Sequence, residues 1–272
     1  MATYQTLFER FDAPYEHFDN TMLGDRFSEE LAVTSRLWVQ SGYSQGISAY
    51  LNFFLLKDFI ETHDNAFPPR FASFRSMARS FYRTDVFVRE VTDSGRQPSG
   101  GISNEKVRQS LKSVMKRHER LQIPLWMMSY FGFQLLEAVE HQPGAVSSED
   151  RCLHLSYMTK AFRIMGVPFS NDRGLMERFS RDVEAHHAGQ SNLLEKHARH
   201  ILILGEMVGV RSDAGTILPM LPEATRHVFA PIYPKVRPGM LLCLVCRLGG
   251  RALMPRAVGE PRKAVPVEFK IG

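Results

Sequence analysis

The sequence predicts an all-α fold, and three observations predict it. Apolar residues recur at steps of three and four along most of the chain, the period of an α-helix. Segment starts carry caps: Ser147, Ser148, Glu149 and Asp150 set hydroxyls and acids where the free amides of a first turn need acceptors. No stretch shows the sustained polar–apolar alternation of a half-buried strand.

Taken in order, the periodicity predicts helices over 27–40, 46–62, 70–91, 104–121, 124–141, 148–165, 173–187 and 192–208, with two more over 222–229 and 237–248. The 70–91 helix shows an inward stripe of Phe74, Met77, Phe81, Thr84 and Val88. Asn104 and Glu105 cap the next helix, whose stripe reads Val107, Leu111, Val114, His118, Leu121. Stretches 37–56 and 121–136 carry no charge and read as buried helices and turns. Breaks rich in Gly, Pro, Ser or Asn fall at 95–101, 142–144 and 166–171. Pro255, Pro261 and Pro266 mark an extended tail from about residue 253. The expectation is one α-helical domain over residues 1–272, packed round one centre.

Composition narrows the classes. Hydrophobic residues at 44% and charged ones at 23% exclude a disordered chain. Nineteen Phe and thirteen Met suit an apolar pocket or a helical core. Lys and Arg are scattered, so the net charge of +5 does not point to nucleic acid. Three cysteines, Cys152, Cys243 and Cys246, are too few for a disulfide scaffold and fit a reducing, cytoplasmic compartment. The stretch 1–18 is mixed and aromatic, which sets the expectation of no signal peptide, and no apolar run reaches the ~18 residues of a membrane span. Contact with a membrane surface or an apolar substrate stays open.

Four groups of residues carry candidate chemistry. Gly42-Tyr43-Ser44-Gln45-Gly46 matches a nucleophile elbow with Ser44 as nucleophile, but no run of strands precedes it to build an oxyanion hole. Cys243-Leu244-Val245-Cys246 lacks the second pair that a zinc site needs and reads as a buried helix. Glu184 and His187 form a Glu-x-x-His pair, with His197 and His200 following and Glu137 and Glu140 as further carboxylates. A di-iron bundle needs two such motifs, and one is present. Finally, Thr84 is the one hydroxyl on its stripe, Arg79 and Arg83 lie a turn apart beside it, and His118 is the one imidazole on the next. A buried imidazole needs a partner, and iron is one that makes it functional. Such a set would suit haem: an imidazole for iron, arginines for propionates or an oxygen-derived anion, a hydroxyl for bound oxygen.

The order of these pieces resembles the superfamily of latex-clearing rubber oxygenases and MpaB-type oxygenases. The matching pieces are 79–85 (RSFYRTD), 115–124 (MKRHERLQIP), 165–168 (MGVP) and 176–187 (MERFSRDVEAHH), within a resemblance spanning roughly residues 70–205. The resemblance implies haem b with His118 as its proximal iron ligand. It aligns Arg83 and Thr84 with a Lys-Thr pair on the oxygen side, and Arg79 stands one residue from the family's arginine, where Ser80 falls. It further implies an oxygenase acting with molecular oxygen on a small hydrophobic substrate, by cleavage of a carbon–carbon double bond or insertion of oxygen. Arg83 and Thr84 would be catalytic, Arg79, Arg83 and His118 would hold the cofactor, and Glu184 and His187 would lie behind them. Two other readings stay open: a non-catalytic binder of hydrophobic ligands with this fold, and a serine hydrolase using Ser44.

Overall fold

The computed structural model describes residues 26–41, 44–54, 74, 75, 77, 78, 81, 109, 111–113, 116, 125–140, 146–187 and 192–253. Every longer element among them is helical and no strand occurs among them. The helices are α1 (Phe27–Ser41), α2 (Ser44–Phe54), α3 (Leu125–Glu140), α4 (Ser148–Ile164), α5 (Arg173–His187) and α6 (Asn192–Val208). Then come α7 (Ala214–Ile217), a 3-10 turn (Leu218–Met220), α8 (Glu223–Phe229), α9 (Tyr233–Val236) and α10 (Met240–Leu253).

Apolar stripes from these helices meet in one core, filled by Tyr130, Phe133, Tyr157, Phe169, Phe179 and Phe229 among others. Described members of the two sequence-predicted stripes join it. Met77, Phe81 and Leu111 are buried and Phe74 is half-buried, whereas Arg75, Gln109, Lys112, Ser113 and Lys116 are exposed. The faces expected to point inward do so at these positions.

Polar pairs fix how the helices lie. α1 and α4 run antiparallel: Lys160 Nζ donates to Glu30 at 2.8 and 2.6 Å, and Arg36 donates to Asp150 at 2.6 Å. α3 and α5 are also antiparallel, since Tyr130 meets Glu184, Gln134 meets Ser180, and Arg173 meets Glu137. Gly132 lets α4 approach α3 closely, because a Cβ there would sit 2.1 Å from the Phe162 ring. α4 starts as expected, with the Asp150 amide donating to Ser147 Oγ at 3.1 Å. It ends at Gly166, whose φ of 75° lets its amide and that of Val167 close on Arg163 and Phe162. Ser129 Oγ then donates to the Pro168 carbonyl and pins the following turn to α3.

Two expectations at the C-terminal end need correction. The last helix begins at Met240, because Arg237 precedes Pro238 and takes the extended backbone (ψ 133°) which that position favours. The Cys-x-x-Cys stretch is helical but not buried: Cys243 faces inward, while Leu244 and Val245 are exposed. The breaks expected at 95–101 and 142–144 and the tail beyond 253 lie outside the described residues.

Candidate ligand cavity and its buried carboxyl

A cavity of about 1220 Å3 opens between α1, α2, α3, α5 and the segment after α6. Phe133, Met220 and Leu221 give it apolar walls, and Gln134, Ser180 and Glu184 give it a polar floor. Charged side chains such as Glu137, Glu177, Arg181 and Arg226 also line it, so the cavity suits a small molecule with both apolar and polar groups.

The floor is built from three helices. Gln134 Nε2 donates to Ser180 Oγ at 2.7 Å and to Glu184 Oε1 at 3.4 Å, while its Oε1 accepts from Asn52 Nδ2 at 2.6 Å. Tyr130 OH donates to Glu184 Oε1 at 3.1 Å, and Ser180 Oγ donates to the same oxygen at 3.3 Å. Burial raises the Glu184 carboxyl above its ordinary value, outweighing the bonds from Tyr130 and Ser180 and the charge of Arg181. The Tyr130 phenol is pushed well up, first by burial and then by Glu184, so it stays a donor. The three donors all converge on Oε1, so Glu184 meets the cavity as a fixed carboxyl that holds its proton more tightly than an ordinary one. Asn52 Oδ1 is buried beside this floor without a hydrogen bond.

A second buried network stands behind the cavity. Trp38 Nε1 donates to His154 Nε2 at 3.1 Å, and His154 Nδ1 lies 3.0 Å from Glu140 Oε1. Indole only donates, so Nε2 is the acceptor and Nδ1 bears the hydrogen that Glu140 receives. Arg173 donates to Glu140 Oε2 at 2.6 Å and closes on Glu137 with its other nitrogen. Both nitrogens of His154 are thus engaged, and neither is open to a metal. The sequence held a signal for this histidine, since His154, Met158 and Ala161 share one face of α4, as His118 shares its stripe.

His200 on α6 is the contrasting case. Its ring meets Phe74 edge-on at 6.0 Å, and its Nδ1 is buried without a hydrogen bond. Burial, then the neighbouring His197, Lys196 and Arg199, hold it below its ordinary value and keep it neutral.

The sequence-predicted site residues divide accordingly. His118, Arg79, Arg83 and Thr84 lie outside the described residues. Glu184 is found in the cavity floor, with Tyr130, Gln134 and Ser180 as partners rather than a histidine; of His187 only its place on α5 is described. His186 is exposed, with Nδ1 2.7 Å from the Asp182 carbonyl. Glu137 and Glu140 are taken up by Arg173, and among the described residues no group of three or more His, Cys, Asp or Glu could hold a metal. Ser44 does line the cavity, but it opens α2 and its hydroxyl donates to the Ser41 carbonyl at 2.6 Å rather than to a base. Gly42 and Tyr43 of that motif lie outside the described residues. No protein-family model, curated protein or solved structure matches the chain.

Proposed function

We propose that the protein is a haem b-dependent oxygenase that acts on a hydrophobic organic molecule held in the cavity above Glu184. The observation that carries this reading is the burial pattern of 109–116. Leu111 is in the core while Gln109, Lys112, Ser113 and Lys116 are exposed, and the sequence stripe that contains Leu111 also contains His118. The all-α architecture fits it, and the cavity, lined by other helices than those of the two stripes, offers room for an organic molecule.

In this reading His118 would hold the iron as a neutral imidazole, and Arg79, Arg83 and Thr84 would help to bind the cofactor and its oxygen, as the motif order implies. Haem, when bound, supplies the activation of molecular oxygen. The chain's own residues supply the rest. Phe133, Met220 and Leu221 bind the apolar body of the substrate and exclude water. Glu184, held in place by Tyr130 and Ser180 on Oε1, orients a polar group of the substrate.

The purified chain, loaded with haemin and supplied with oxygen and an apolar alkene-bearing probe, tests the proposal. Consumption of oxygen with formation of a cleaved or oxygenated product is expected, and Glu184→Gln should reduce it. A chain that takes up the apolar probe but no haemin would instead establish the non-catalytic ligand-binding reading, which the cavity also supports.

A further inference from the structure

The last helix carries an apolar face that no described residue covers. On α10, Met240, Leu241, Leu244, Val245 and Leu248 are exposed at 90, 75, 52, 57 and 60%. At about 100° per residue they share one side of the helix. The opposite side is fixed to α6. Cys243 is buried there, and the Arg247 guanidinium grips Glu206, whose carboxyl it and Ser212 hold below the ordinary value against the effect of burial. The outward direction of the apolar side is therefore set by buried Cys243 and by an ion pair anchored on the buried Glu206.

The sequence that runs through this helix is basic. Between Glu223 and Glu260 the sequence has no acid but six cations, Arg226, Lys235, Arg237, Arg247, Arg251 and Arg256, more than the +5 of the whole chain. Immediately before α10, Arg237 is exposed, and so is Lys235, whose Nζ lies 3.6 Å from the exposed Glu195. We infer that α10 docks the protein on an anionic lipid surface, its apolar face entering the headgroup–acyl boundary and the flanking cations meeting lipid phosphates and carboxylates. A leucine-rich face bordered by Lys and Arg is the make-up of interfacial helices. Self-association through the same face fits less well, because a two-fold pairing would set the basic segment against its own copy. At 14 residues α10 reaches only ~21 Å, short of the ~30 Å hydrocarbon core, so it lies on the surface; no described helix is long and apolar enough to cross.

Co-sedimentation of the full chain with vesicles of phosphatidylcholine alone, or mixed with phosphatidylserine, tests this inference. Binding should require phosphatidylserine, weaken as salt is raised, and fall about tenfold or more in Leu241→Glu/Leu244→Glu/Leu248→Glu. Those side chains are exposed, and unchanged circular dichroism would show that the variant still folds. Arg237→Gln, which leaves the apolar face intact, should weaken binding to the mixed vesicles and shift its salt dependence. A folded native chain that ignores the mixed vesicles overturns the inference. So does a native dimer that the triple variant converts to a monomer, since the face would then belong to a second copy.

Discussion

Tyr130 OH stands 3.1 Å from Glu184 Oε1 and joins α3 to α5 at the floor of the cavity. The carboxyl it meets is raised by burial, so the fold favours the protonated acid. Glu184 therefore contributes stability that is complete below its unfolded value of about 4.5 and is lost as pH rises through its folded value. Glu184→Gln keeps the shape without the charge. Denaturant unfolding across a pH series should show the native protein losing stability relative to this variant above pH 4.5. Parallel curves would mean that the carboxyl titrates as if exposed.

Tyr130→Phe removes one of three donors to Oε1 and keeps the ring in the core. A loss of about 1–2 kcal/mol is expected by chemical denaturation, with the cavity intact to an apolar fluorescent probe.

The Trp38–His154–Glu140–Arg173 chain is fully paired, so cutting it at one end should be costly. Trp38→Phe leaves His154 Nε2 buried without its donor, and a loss of about 1–3 kcal/mol should follow. Arg173→Met strips the cation from buried Glu140 and should cost more, about 3–5 kcal/mol. If the two variants unfold with the native midpoint, the chain is not a structural support.

Two glycines separate two kinds of cost. Gly166→Ala places a side chain at φ 75° in open space, and only backbone strain of about 1 kcal/mol is expected. Gly132→Ala keeps a helical backbone but drives a methyl into Phe162, and should cost about 1–3 kcal/mol or more. Equal losses would contradict the close α3–α4 approach.

The helices were legible in the sequence where a stripe and a stop signal agreed. The segments 173–187 and 192–208 match α5 and α6 end to end, and Ser147 caps α4 as its hydroxyl suggests. Short elements such as α7 and α9 were not, because four residues hold too little of a period to register. The polar floor was half legible. Glu184 stood out through its spacing to His187, but of its real partners Ser180, Tyr130 and Gln134 the last two come from a distant segment and share no local pattern with it. The exposed side of α10 was misread for a related reason: an uncharged run looks the same whether it faces a core or a surface.

The central claim is an iron porphyrin held by His118, and two imidazoles compete for that role, since His200 presents a neutral, unpaired Nδ1. The deciding measurement is the visible absorption spectrum of the full chain after loading with haemin, for the native protein, His118→Ala and His200→Ala. The account predicts a Soret band that His118→Ala abolishes and His200→Ala retains. Equal haem content in the native protein and His118→Ala, or a band lost only in His200→Ala, would contradict it.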